Sequence, residues 1–314
     1  MRKPKFPHNS IEEVGEFRRP TKKGTGLKDK SSSFGILMTS PTIAILAGFT
    51  IFPLFFTLFY SFTDYYFLAR KPAAGVGLNN YIELLKNGYF LQAIRNTVKF
   101  VILAVVIETG AGLFTAVFIN SFTKNTKLLR TLILLPTLMP PVTVALMWQT
   151  MLSNNYGIIN RLLGVLRLGP VNWLMDIKTA FYAILVIDVW QYTPMAFLLI
   201  YASMQTIPQV QYEAARMDGA GPWAQFRYIT VPNISSGILM VVLMRTIDTF
   251  RLFDKVNILT KGGPANSTAT MTQFIYQQGV RGLKVGYGSA ASVIMTVMVL
   301  LFSIAYVRKM IRRS

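Results

Sequence analysis

Residues 34–62, "FGILMTSPTIAILAGFTIFPLFFTLFYSF", run for 29 positions without one charged side chain. A stretch that long exceeds the roughly 20 residues a helix needs to cross a hydrocarbon core. Pro41 and Pro53 inside it read as kinks rather than stops. Five further segments follow the pattern. Residues 100–122 hold one acid, Glu108, and 131–151 are uncharged with Pro136, Pro140 and Pro141. Residues 179–201 contain only Asp188, whereas 234–253 are apolar up to Met244 and then meet Arg245, Asp248 and Arg251. Residues 285–307 are uncharged. Only 14% of the chain is charged, against about 25% in a soluble domain. The predicted class is an all-α membrane protein with six transmembrane helices.

Charge then orients the spans. The formal net charge is +19. In a membrane chain such an excess gathers on cytoplasmic segments and faces anionic lipid, so no nucleic-acid partner is expected. Residues 1–33 form a basic tail with nine Lys/Arg, four acids and no apolar run. It is read as cytoplasmic and largely disordered, with a short amphipathic piece at 11–17. Six spans return the basic end "VRKMIRRS" to the same side, and Lys124, Lys127 and Arg130 agree. Both termini are therefore expected in the cytoplasm. Lys255, Lys261, Arg281 and Lys284 run against the rule by loading an external loop. No Cys is present and the one His, His8, lies in the tail. Disulfides, Cys metal sites and His-based catalysis are thereby excluded.

Residues 79–97 carry apolar side chains at Tyr81, Leu84, Leu85, Phe90, Ala93 and Ile94. This reads as one or two short helices lying at the outer interface. Between spans four and five stands a polar segment, "QYEAARMDGAGPWAQFRYITVPNIS". Ile207, Val210, Ala214 and Met217 share one helical face, with Thr206 as a cap and Pro208 suited to the first turn. Glu213 and Arg216 stand at i,i+3 on the outer face, and Gly219 suits the stop. After Gly221-Pro222 a second helix carries Trp223, Phe226 and Ile229 and ends at Pro232. The segment 207–232 is thus helix, glycine hinge, helix. A partner moving such a knob must move both attached spans.

Glu213-Ala214-Ala215, three residues, Gly219, nine residues, then Ile229-Thr230-Val231-Pro232 resemble the "EAA" signature of permease subunits of binding-protein-dependent ABC importers. "EAARMDGAG" with Phe226 is similar to their carbohydrate-uptake branch. "NNY…F…A…NT" before span two, "DVWQYTP" (188–194), "FRLFDKVNILTKGGPANST" (250–268) and "GYGSAAS" (286–292) extend the likeness over about residues 34–308. The last of these looks like the maltose-permease F type. Val231 stands where Leu is usual, and Ser235-Ser236 where Pro often follows. The resemblance implies the type I ABC importer permease fold in a bacterial inner membrane. It also implies a G-type second permease, a cytoplasmic ATPase dimer and an extracytoplasmic solute-binding protein. Residues 207–232 would be the coupling helix-turn-helix, seated on the ATPase through Glu213, Ala214, Ala215, Asp218, Gly219, Phe226 and Pro232. The chain has no GxxxxGK[ST] phosphate loop. It is therefore expected to be no enzyme and to hold no cofactor, ATP and Mg being bound by the partner ATPase.

Ionisable groups within spans are costly and point to function. Asp188, Tyr192 and Met195 line one face of span four, and Arg245, Asp248, Thr249 and Leu252 one face of span five. Facing stripes of charge, hydroxyl and aromatic surface suit a sugar, so Asp188, Tyr192, Arg245, Asp248 and Thr249 are the candidate substrate residues. Trp148 and Trp190 are further aromatic candidates. Equally, Arg245 pairs internally with Asp248 or Asp188, and Glu108 is a packing hydrogen-bonder that Lys99 lies too far along the helix to reach. The substrate class is a carbohydrate (oligosaccharide, monosaccharide or polyol). An anionic sugar-phosphate such as glycerol 3-phosphate is the alternative that Arg245 and Arg251 favour and Asp188 and Asp248 offset. An ion-driven secondary transporter using Glu108, Asp188 and Asp248 lacks the internal inverted repeat and gives the hairpin no purpose.

Overall fold

The computed structural model describes residues 28–69, 72–122 and 126–311. Residues 1–27 of the expected tail, the 11–17 stretch, Lys124, Arg312 and Arg313 lie outside the described residues. Two compact units divide the chain, 1–54 and 55–314. The first contains most of α1 (Lys28–Tyr60), which begins ahead of the apolar run and continues through Pro41 and Pro53. From Met38 on it is uncharged and exposes large apolar side chains, Ile43, Leu46, Phe49 and Phe52 among them, the composition of a membrane-spanning helix.

In the second unit, α2 (Asn79–Lys86) is followed at once by α3 (Gly88–Asn120). Asn87 makes the junction: its side-chain oxygen accepts from the backbone N–H of Tyr89 at 2.9 Å and of Phe90 at 3.1 Å, satisfying orphan donors of the first turn. Only 79–86 is thus a separate short helix. Residues 88–97, expected with it, are the start of the second long helix.

The uncharged third segment is a bent pair, α4 (Lys127–Leu138) and α5 (Pro141–Met151), whose axes meet at 92°. Adjacent prolines explain the break. Neither Pro140 nor Pro141 has an N–H to continue the ladder, and Met139 before them is extended, ψ 137. The carbonyl freed at Met139 accepts from Gln191 Nε2 at 2.9 Å. After α6 (Ile158–Val165), α7 (Ala180–Met204) is a continuous helix through Pro194.

The hairpin consists of α8 (Gln209–Met217) and α9 (Pro222–Asn233), the latter with a π-helical turn at Phe226–Thr230. Next come α10 (Ser235–Phe250), bent by 63° from α9, α11 (Asp254–Leu259), α12 (Met271–Ile275) and α13 (Val285–Ile311). Among the described residues, four helices are long and apolar enough to cross a bilayer, or up to six spans when each bent pair counts as one.

The centre of the unit is the α3–α7 pair. A methyl at Gly112 of α3 would stand 2.7 Å from the Ala196 Cβ and 2.8 Å from the Phe197 backbone nitrogen. Small residues here let the two backbones approach, as helices in lipid do where packing replaces the hydrophobic effect. Two apolar clusters occupy opposite ends of α7. Near its start Phe181 and Ile184 pack with Phe100, Val144, Val256 and Leu259. Near its end Ile200 and Met204 pack with Ile119, Ile207, Ile234 and Val241 and with Tyr212 and Ile229 of the hairpin.

Candidate functional site

Between those clusters lies a buried network of charge. Arg245 on α10 grips Glu108 on α3 with both arms of its fork, Nε to Oε2 at 2.6 Å and Nη2 to Oε1 at 3.2 Å. The same Nη2 reaches Asp188 Oδ2 on α7 at 3.5 Å and donates to the Thr249 hydroxyl at 3.4 Å. Nη1 stands 3.7 Å from Asp248 Oδ2, one turn along α10. The other oxygen of Asp188 accepts from Lys255 Nζ on α11. Glu108, Asp188, Arg245 and Lys255 are each 2% exposed or less, whereas the Asp248 side chain is 49% exposed.

Tyr192 presents its ring to both cations, the Arg245 Cζ lying 4.1 Å and the Lys255 Nζ 4.3 Å from the ring centre. In a desolvated setting each such cation–π contact is worth about 2 kcal/mol. Two acids inside the spans therefore meet two cations, and four helices are tied at one point. Half-burial leaves part of Tyr192 facing a pocket of about 70 Å³ lined also by Pro141, Asp248, Thr249 and Arg251.

The five candidate substrate residues all line this one pocket. The internal pairing weighed beside that reading also exists, in a different form: the main partner of Arg245 is Glu108. Lys99, as expected, does not meet Glu108; it lies over the Phe181 ring at 4.5 Å. Trp148 and Trp190 contact each other at 5.6 Å between centroids and do not line the pocket. Lys255, counted above as a loop charge, is a buried counter-ion. That correction removes one of the four charges that violated the orientation rule. A charge count would have found it, since a second acid within the spans demands a second cation.

The hairpin is held firmly at its base and bare at its tip. The Tyr212 hydroxyl and Thr230 Oγ1 are hydrogen-bonded at 2.9 Å, and Asn233 Nδ2 donates to Gln211 Oε1 at 3.0 Å, joining α8 to α9. The tip closes as a Schellman turn: the Ala220 N–H reaches the Ala215 carbonyl at 2.8 Å and the Gly219 N–H reaches Arg216 at 3.1 Å. Gly219 has φ +78, the left-handed region that glycine enters without penalty. Thr206 does not cap α8; its hydroxyl donates back to the Ser203 carbonyl, and Pro208 takes the cap position.

Of the apolar stripe only Ile207 is buried, while Val210, Met217 and Trp223 are 71%, 89% and 74% exposed. Glu213, Ala214, Asp218, Gly219 and Pro232 are exposed with them, and Ala215 and Phe226 are half-buried. The hairpin thus leaves large apolar side chains exposed to solvent at its tip while its base is hydrogen-bonded together.

A helical membrane protein with a buried intramembrane ion network and a protruding hairpin is the class these features define. Residues 108–312 match the family described as binding-protein-dependent transport system inner membrane component, and the chain belongs to it. The trehalose/maltose transport system permease protein MalF of Thermococcus litoralis is 36% identical over 283 residues, 90% of this chain and 95% of that protein. The sulfoquinovosyl glycerol transport system permease protein SmoG of Agrobacterium fabrum is 30% identical over 273 residues, 87% and 89% of the two chains. The crystal structure of a bacterial ABC transporter that imports the acidic polysaccharide alginate superposes with a TM-score of 0.81 at 22% identity, covering 90% of this chain and 96% of that one. The fold is that of a type I ABC importer permease, and the protein is a membrane permease subunit of the binding-protein-dependent type.

Proposed function

We propose that this permease subunit forms half of a carbohydrate translocation path and is driven through its hairpin by a cytoplasmic ATPase. The observation that carries the coupling is the exposed patch of Val210, Met217 and Trp223 around Glu213 on a knob whose base is hydrogen-bonded together and packed on the ends of α7 and α10. ATP and Mg are bound by the ATPase dimer, Glu213 pairs with a basic residue there, and Gly219 allows the bend. Closure of the dimer then tilts α7 and α10 and opens the path to alternate sides. The hairpin and both termini face the cytoplasm, in the inner membrane of a bacterium.

The substrate reading rests on the ion pocket. Its lining carries three cations, Arg245, Arg251 and Lys255, and three acids, Asp188, Asp248 and Asp254, so it has no net positive charge to select an anion. That balance favours a neutral sugar or polyol over a sugar-phosphate. It also disfavours ion-driven transport, because Glu108 and Asp188 are already paired with Arg245 and Lys255. A volume of about 70 Å³ is far below the roughly 300 Å³ of a small-molecule cleft. The site is therefore completed by a facing surface, which a G-type second permease supplies, with a solute-binding protein delivering the sugar.

The test is uptake and ATP hydrolysis measured together in vesicles holding the assembled transporter. Glu213→Lys is expected to insert normally and to abolish uptake while ATP hydrolysis no longer follows sugar. Tyr192→Ala is expected to lower uptake at least tenfold with the ATPase still bound. Unaltered uptake in Glu213→Lys would remove the hairpin from the mechanism.

A further inference from the structure

At the end of α7 away from the hairpin, a cavity of about 760 Å³ opens between the last turn of α5, residues 152–156, Leu174–Met175 and residues 259–264. The volume lies within the range of roughly 300–1,000 Å³ that holds small molecules. Its lining differs in kind from that of the ion pocket. Gln149, Thr150, Ser153, Asn154, Asn155 and Thr260 supply amides and hydroxyls, and no lining residue is charged. Amides and hydroxyls both donate and accept, as the hydroxyl groups of a sugar require. Tyr156, 63% exposed, adds a flat ring for an apolar C–H face. The side chains of Asn155 and Tyr156 make no hydrogen bond within the described residues.

The wall is braced from behind. Buried Asn160 donates to the Val171 carbonyl at 3.1 Å and accepts from Trp173 Nε1 at 2.9 Å, and the side chains of Asn154 and Asn172 are bonded to each other. Gly157 closes the turn by donating to the Ser153 carbonyl at 2.9 Å, and a Cβ there would collide with three backbone atoms. Position along the helices matters equally. α5 begins with Pro141 at the ion pocket and ends with Gln149 and Thr150 at the cavity, eight residues or about 12 Å on. α11 likewise runs from Asp254 and Lys255 at the pocket to Leu259 and then Thr260 at the cavity. The two sites are the two ends of one helix pair.

We infer that this cavity is an outer saccharide subsite, which holds an uncharged sugar unit before it reaches the ion pocket. The inference rests on the carbohydrate reading above and adds a site to it. The test uses the assembled transporter with its binding protein in vesicles, with radiolabelled glucose, trehalose, maltose and maltotetraose as probes. Asn155→Ala and Tyr156→Ala are each expected to lower uptake at low sugar about tenfold, the loss of one to two contacts. Tyr156→Phe keeps the ring and should stay near wild type, and Asn155→Trp fills the cavity and should reduce uptake further. Capture of the binding protein by the transporter, read by co-purification, should be unchanged in all four. If capture falls together with uptake, the cavity is a socket for the binding protein and the inference is wrong. If neither changes, it is wrong as well. Failure of the wild-type transporter to take up any of the four sugars, or mannitol as a polyol probe, instead overturns the carbohydrate reading on which the inference depends.

Discussion

Arg245 and Lys255 are held by geometry that a single substitution cannot preserve. The forked contact of Arg245 with Glu108 uses two nitrogens in one plane, which the point charge of a lysine cannot reproduce. Removing one member of a buried pair strands the other, at a cost of about 3–5 kcal/mol. Lys255→Ala is therefore expected to destabilise the protein by that amount in denaturant unfolding, since Asp188 keeps only the 3.5 Å contact with Arg245. Replacing both partners, Asp188→Leu with Lys255→Leu, should recover most of the loss. A double variant as unstable as Lys255→Ala alone would show that the pair is not the origin. These partners stand 137 and 67 residues apart in the chain. The acids could be seen to need cations, but only folding chose which cation served each.

Backbone conformation decides most at the level of the hairpin. A side chain at Gly219 would meet nothing within 4 Å, so any penalty there comes from φ +78 alone. That penalty is about 1–2 kcal/mol for most L-residues and is smaller for Asn. Gly219→Asn is thus expected to keep the hairpin and the ATPase contact, whereas Gly219→Val should open the turn and uncouple hydrolysis from uptake. The ratio of ATP hydrolysed to sugar imported distinguishes them. Met217→Ser and Trp223→Ser should instead weaken retention of the ATPase during purification, because both are almost bare in the free subunit. Gly219, Pro222 and the helical spacing made the hairpin legible in the chain. The direction of its apolar face was not, because spacing of three and four gives a face without saying what it meets. The double proline at 140–141 likewise signalled a disturbance, while its size, 92°, needed α7 and Gln191 to receive the exposed end.

Across the whole molecule, the hairpin and the saccharide cavity lie at opposite ends of α7, so a label that cannot cross the bilayer should distinguish them. The sequence has no cysteine, which makes single introduced thiols clean reporters. Arg216→Cys is expected to react only from the cytoplasmic side and Tyr156→Cys only from the outside. Reaction of both from one side would refute the topology. Tight packing of α3 on α7 makes a further prediction. Gly112→Leu should cost about 3 kcal/mol, because the added atoms fall on Ala196 and the Phe197 backbone and not into a void.

Chain composition alone settled that the protein is helical and spans a membrane, because uncharged stretches of this length have no stable alternative in water or lipid. Local spacing settled the hairpin and the family signature, since both are written within 20 or so consecutive residues. The tertiary structure alone decided that Glu108 answers Arg245, that Lys255 neutralises Asp188, and that residues from three segments share one cavity. Those outcomes depend on distances between helices, and a linear order of residues carries no such distances until small residues such as Gly112 and Ala196 let the helices close.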